Sequence, residues 1–212
     1  YSGALNRFVP NPDLEPETLL AVEAGVTTRI GRGELQAVGF RHQLKDAVVR
    51  TTLTDGRFLR VNRDELESTG VELMINQSFG ALRVSGDLTV QSVDLTDPTA
   101  GVTNRPENLP EVFGRISTAF PLFAAIQGRI EAGYIGDQFC IDPGTGADHE
   151  LDAGTDVNVD LARTFTLRPR GASWFSRIET RISADNVGDT ARYDQCGLPQ
   201  PGRLIRFQVR LF

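Results

Sequence analysis

No stretch of this sequence approaches the roughly 18 consecutive apolar residues that a membrane-spanning helix needs. That gap does not exclude a membrane, because a barrel strand gives lipid only every second residue and its hydropathy signal is weak. Cysteine is scarce, with two residues in 212, which rules out a dense disulfide scaffold and leaves one bond or two free thiols open. A basic excess is also lacking. Lys and Arg number 22 against 28 Asp and Glu, a net charge of −6, so nucleic acid is not expected as a partner. With two His, one Met and one Trp, the chain has little material for a histidine-based centre. No basic, apolar leader stands at Tyr1, and the expectation is a mature or truncated segment.

What is present is glycine, proline and alternation. Twenty-one Gly and 11 Pro among scattered polar turns disfavour helices, and all-β is the base reading. Ser176–Ala184 sets Ile178, Thr180, Ile182 and Ala184 against Arg177, Glu179, Arg181 and Ser183. Ile205–Leu211 sets Ile205, Phe207, Val209 and Leu211 against Arg206, Gln208 and Arg210. Period-two alternation makes a strand with one dry and one wet face. The same pattern predicts nine strands in all. Tyr1–Thr18 reads as loop. Strands follow at 20–30, 34–53, 58–79, 82–91, 115–120, 126–134, 157–162, 176–184 and 205–211. Gly31-Arg32-Gly33, Asp55-Gly56, Gly80-Ala81, Pro121-Leu122-Phe123 and Arg168-Pro169-Arg170-Gly171 read as tight turns.

Three regularities select among all-β architectures. Connections read as alternating, short after strands one, three, five and seven and longer after two, four, six and eight. The long ones lie near 94–110, 137–152 and 188–202. One parity of the strands is almost continuously apolar, while the other carries Glu23, Arg29, Glu72, Arg83, Asp87, Arg115, Arg129, Glu131 and Asp160. Phe79, Phe120, Phe123, Phe165, Trp174 and Phe175 gather beside the short turns, as a periplasmic-side aromatic girdle requires. A soluble β-sandwich binding module would bury its apolar faces against each other and has no reason to collect aromatics at one end. The expectation is therefore an antiparallel up-and-down transmembrane barrel wall, with short turns periplasmic and long loops extracellular. Nine is an odd count, whereas single-chain bacterial barrels have even ones, which predicts the carboxyl-terminal portion of a larger barrel.

Several local motifs then resemble one family. Asn11-Pro12-Asp13-Leu14-Glu15-Pro16-Glu17, before a strand with Glu23 and Gly25, resembles the strand entry of TonB-dependent outer-membrane receptors. Thr69-Gly70-Val71-Glu72-Leu73, Asn104-Arg105-Pro106-Glu107-Asn108-Leu109-Pro110, Asp185-Asn186-Val187-Gly188-Asp189 and the loop from Gln195 to Arg203, which ends in Pro201-Gly202-Arg203, are similar to later elements of these receptors, in the same order. The resemblance implies a barrel of about 22 strands with a plugged lumen, of which residues 1–212 would be the carboxyl-terminal part. It implies an outer-membrane location and uptake of a scarce nutrient such as a ferric siderophore, haem or another metal chelate. Implied partners are outer-membrane lipid, an amino-terminal plug and the remaining strands, the TonB–ExbB–ExbD complex and the barrel-assembly machinery. No plug or TonB box lies within these residues, no cofactor is implied, and the chain is not expected to be an enzyme. A small outer-membrane adhesin or structural barrel is the other membrane reading.

Candidate site residues follow from position. Cys140 and Cys196 fall in two extracellular loops, an oxidising setting in which a disulfide between them is expected. His149, with Asp148, Glu150 and Asp152, reads as a solvated acidic loop or as part of a metal-chelate site at the mouth. His42 shares the parity of Val38, Phe40 and Leu44 and is expected near the outer interface. No nucleophile constellation accompanies it. Phe212 is expected to be the carboxyl-terminal assembly signal, although it falls in the parity opposite to Leu211.

Overall fold

The structure, a computed structural model, describes residues 7–63, 65–96, 105–142, 145–167 and 176–212. Nine long strands form one antiparallel sheet: β1 (Thr18–Ile30), β2 (Gly33–Lys45), β3 (Glu65–Phe79), β4 (Leu82–Thr96), β5 (Val112–Pro121), β6 (Ile126–Ile135), β7 (Gly154–Thr166), β8 (Arg177–Asp185) and β9 (Leu204–Leu211). Each lies beside its neighbour in sequence, from β1 at one edge to β9 at the other. Short turns fix the pairs β1–β2, β3–β4 and β5–β6, because a tight turn can join only antiparallel neighbours, and the longer connections also return to the adjacent strand. Gly31 (φ 58°) and Gly80 (φ 64°) supply the left-handed backbone at two of those turns. Residues 168–175, including the expected turn at 168–171 and the girdle members Trp174 and Phe175, lie outside the described residues.

The chain divides into two compact units, Tyr1–Ala24 with Gly39–Gly70 and Gln91–Pro106, and Gly25–Val38 with Val71–Val90 and Glu107–Phe212. In the second unit the registers prove the two faces. Val84 lies opposite Thr118, Thr118 opposite Ile130, Ile130 opposite Val159, Val159 opposite Ala184 and Ala184 opposite Ile205. One residue along, Ser85, Ser117, Glu131 and Asn158 make the matching row on the other face. A slip of one residue would exchange the faces throughout, so the alternation fixes the register.

The apolar face is not covered. On interior strands, where neighbours shield both sides, Ile116 is still 52% exposed and Ile182 53%. Among the described residues the buried apolar ones are Phe40, Phe139, Cys140 and Leu151. None of them belongs to that face, so the buried inter-sheet core of a sandwich is missing. The opposite face is laced by ions. Glu131 takes Arg129 at 2.6 Å and Arg115 at 3.4 Å, Arg181 lies 3.6 Å from Glu179 and 3.9 Å from Asp160, and Arg206 pairs with Asp185. Such a charged face with an exposed apolar reverse is the inside-out arrangement of a membrane barrel wall.

The first unit departs from the expected strand at 34–53. Asp46 turns left-handed (φ 56°) and its carbonyl accepts a hydrogen bond from Asn62 Nδ2 at 2.7 Å. The chain resumes as Ala47–Thr52, paired with Phe58–Arg63 in a separate small sheet. Phe8–Val9, expected as loop, adds to that sheet in parallel beside Phe58 and Leu59. The reason is aromatic packing: the Phe8 and Phe58 rings lie 5.5 Å apart, with the Arg50 guanidinium 4.5 Å over Phe58. At the Asp55-Gly56 turn, the Arg57 backbone N–H and then its guanidinium hold the Asp55 carboxyl below its ordinary range.

His42 corrects the parity expectation for β2. Its Nε2 lies 3.0 Å from Glu23 Oε1 and its ring stacks on Phe40, which is 9% exposed. Val38, Phe40, His42 and Leu44 therefore share the face of Glu23, the charged one, and not the outer interface. Alternation sends Arg41 to the other face, where it meets Glu67 at 2.9 Å.

Candidate functional site

Four connected pieces build one end of the second unit: two hairpin loops, a disulfide and a buried polar network. The expected loop at 137–152 contains a hairpin of its own, Gln138–Ile141 against Asp148–Leu151, with Cys140 opposite His149. The loop at 188–202 contains a smaller ladder, Tyr193–Gln195 with Leu198–Pro199, turned by Gly197 (φ 74°). Cys140 and Cys196 are bonded, with Cα atoms 5.9 Å apart and a separation of 56 positions in sequence. Cys140 is fully buried at 0% exposure, so the bond sits beneath the hairpin rather than on its surface. In the chain-entropy picture a closed loop of this length restrains the unfolded chain by about 4 kcal/mol.

The network explains why the Asp-Asn-Val-Gly-Asp motif stands where β8 ends. Asn186 turns left-handed (φ 47°), and its backbone N–H donates to Asn158 Oδ1 at 2.9 Å. Its side chain closes on Thr190, with Asn186 Nδ2 donating to the Thr190 carbonyl at 2.9 Å and the Thr190 N–H to Asn186 Oδ1 at 3.1 Å. Thr190 Oγ1 donates to the Thr155 carbonyl at 2.9 Å, and Val187 N–H to the Val157 carbonyl at 2.8 Å. At the far side Asp189 Oδ1 receives the Arg203 N–H at 2.8 Å. One motif thus ties β7, β8 and the approach to β9.

Beneath it, Arg192 Nη1 pairs with Asp156 Oδ1, the side chains being 19% and 9% exposed. Asp156 Oδ2 also receives Asn158 Nδ2 at 3.0 Å. Arg192 and Cys196 help to line an open hollow of about 420 Å³, together with His149, Glu150, Asp152 and Tyr193. The hollow is polar and mixed in charge. Among the described residues, no three His, Cys, Asp or Glu side chains converge as metal ligands, and His149 stays exposed. The sequence reading missed Asp156 and Arg192. They lie 36 residues apart, and the available signal was Asp156 and Asn158 sharing the polar parity of β7.

Cys196→Ser is expected to leave the β5–β9 ladder intact but to free both loops. Limited proteolysis should cut within 138–151 and 193–199 much faster than in the oxidised wild type. Equal cutting rates in the two proteins would refute a clamping role.

The other sequence candidates take these positions. Phe79 and Phe123 are 61% and 80% exposed beside their turns. Phe165 lies under the Arg163 guanidinium at 4.6 Å. Phe120 folds over Gly128 on the next strand, where an added Cβ would stand 2.8 Å from its ring. Phe212 continues the β8–β9 ladder without a bulge: it exchanges backbone hydrogen bonds of 2.9 and 3.1 Å with Arg177, whose guanidinium lies 5.4 Å from its ring. Its side chain therefore shares the charged parity.

Known proteins converge on one fold. No curated protein matches the sequence. The FrpB iron transporter of Neisseria meningitidis superposes with a TM-score of 0.72 at 15% identity, over 95% of this chain and 32% of that one. The siderophore receptor PirA of Acinetobacter baumannii gives 0.71 at 16%, over 95% and 32%. The ferric-catecholate import receptor Fiu of E. coli K12 gives 0.69 at 17%, over 94% and 28%. This chain spans about a third of such receptors. The family model described as TonB dependent receptor-like, beta-barrel matches residues 1–190, and the chain belongs to that family of outer-membrane β-barrel receptors.

Proposed function

We propose that this chain supplies wall and external loops to an outer-membrane receptor that imports a scarce nutrient, a ferric siderophore or similar metal chelate, with energy from TonB–ExbB–ExbD. The observation that carries this reading is the sheet itself: nine neighbouring strands with an uncovered apolar face and an ion-paired reverse. Receptors named for iron and siderophore import share that sheet. In this reading the short turns with Phe79, Phe120, Phe123 and Phe165 lie at the periplasmic interface. The disulfide-clamped hairpins stand in the external medium, where a disulfide persists. The charged face looks into the lumen toward the plug, and a hollow of about 680 Å³ bordered by Arg29, Arg83 and Arg129 belongs to it. The Arg41–Glu67 pair on the apolar parity then marks where β2 and β3 have left the hydrocarbon, since ions there belong in water. Phe212 serves as the assembly signal from the lumen-facing parity.

Import is the activity proposed, so uptake tests it. In iron-limited cells, deletion of the gene should abolish uptake of one labelled ferric chelate, and disruption of TonB should abolish it equally. Uptake that persists without TonB, or a deletion that leaves import of every chelate tried unchanged, would overturn it.

A further inference from the structure

On the apolar face of the second unit small residues replace large ones at Gly128 and again around Gly114, and the chain treats the two places differently. At Gly128 the gap is closed from within, because the Phe120 ring covers it. At Gly86, Gly114 and Ala132 it stays open. These three residues sit in two adjacent cross-strand rows: Gly86, Ile116, Ala132 and Val157 in one, Leu88, Gly114, Tyr134 and Thr155 in the next. They border a hollow of about 440 Å³ with Leu88, Ile116 and Tyr134 among its walls. Asp87, Arg115 and Gly133 also border it, but alternation directs their side chains to the other face and leaves only backbone here. The Gly114 position is compelled by backbone, since a Cβ there would stand 2.5 Å from the Asp87 carbonyl oxygen. At Gly86 the nearest side-chain atom to such a Cβ is Ile75 Cγ2 at 3.5 Å, at the rim.

We propose that this hollow is a lipid-binding site that holds one acyl chain of a membrane lipid, from the leaflet on the side of the long loops. The proposal rests on the apolar face being the lipid face, with which the hollow is continuous. An empty apolar cleft in hydrocarbon forfeits dispersion contacts along its walls, and a polar occupant would leave its groups without hydrogen-bond partners there. A flexible hydrocarbon chain restores the contacts and carries no such groups. The hollow lies toward the long-loop ends of β5, β6 and β7, because positions 114, 132 and 155 are near those ends. That placement chooses the leaflet.

The test uses the full-length protein purified from outer membranes and reconstituted into nanodiscs of phosphatidylethanolamine carrying a photoactivatable diazirine in one acyl chain. After illumination, adducts should concentrate several-fold at Leu88, Ile116 and Tyr134 over Val84, Ile130 and Ile182, which share the same face. Ala132→Phe, which fills the hollow, should erase that excess, whereas Ile130→Phe, outside the hollow, should not. Even labelling along the apolar face would overturn the acyl site while leaving the lipid-facing reading intact. Absence of labelling on this face altogether would overturn both. Crosslinks from the hollow into a second copy of the protein would assign it to self-association instead. The wild-type pattern decides the matter even if Ala132→Phe does not assemble.

Discussion

Ile116→Lys is expected to remove the protein from the outer membrane, while Ser117→Lys, one residue along the same strand, leaves it there. Ile116 sits on the apolar face in the middle of β5 and is 52% exposed. A lysine on a lipid-facing barrel position costs about 2–4 kcal/mol at the bilayer midplane, a large fraction of the roughly 5–15 kcal/mol by which a domain is stable. Ser117 points the other way. It shares a hydrogen bond with Ser85 at 2.8 Å and lies opposite Glu131, so a lysine there exchanges a weak polar contact for a cross-strand ion pair. Immunoblots of membrane fractions, with folding read from heat-modifiable mobility, compare the two variants directly. Equal loss, or loss for Ser117→Lys alone, would mean that the faces are assigned wrongly.

Asp156→Ala is expected to be the most damaging single change at the loop end. It strips the partner from Arg192, whose side chain is 19% exposed and whose Nε already lacks a hydrogen-bond partner. It also removes the acceptor of Asn158 Nδ2. Breaking a buried ion pair from one side leaves a desolvated charge and costs about 3–5 kcal/mol, far more than the pair is worth against an apolar replacement. The double variant Asp156→Ala/Arg192→Met should therefore recover much of the loss. Denaturation of the three proteins in detergent, alongside the wild type, measures this. A double variant no better than Asp156→Ala alone would show that the network, and not the uncompensated charge, sets the cost.

The strands were legible because period two is a direct imprint of a sheet with unlike faces. Ile178 to Ala184 and Ile205 to Leu211 needed no tertiary information. What the alternation could not carry was a change of rule within one strand. Asp46 breaks β2 without glycine or proline, and its partner Asn62 lies across a hairpin. Phe40 and His42 look like outer-wall residues because they follow Val38. Their face is decided by Glu23 on the preceding strand, a cross-strand fact that an apolar count overlooks. The hairpin at 138–151 was hidden for another reason. Four-residue strands between turn-forming residues resemble loop until the bond from Cys140 to Cys196 fixes them. The Asp185–Asp189 motif was readable as a family mark, yet its work, joining Asn158, Thr155 and Arg203, emerges only when β7, β8 and β9 lie side by side.

The central claim is that one face of this sheet meets lipid and the other meets water. It is tested most directly by placing single nitroxide-labelled cysteines from Arg115 to Phe120 in the full-length protein in liposomes, with Cys140 and Cys196 kept oxidised. Collision with dissolved oxygen, which concentrates in lipid, should peak at 116, 118 and 120. Collision with a water-soluble nickel chelate should be low at those three positions, and oxygen collision should fall at 115, 117 and 119. Oxygen accessibility with the opposite phase, or with no period of two, would contradict the account.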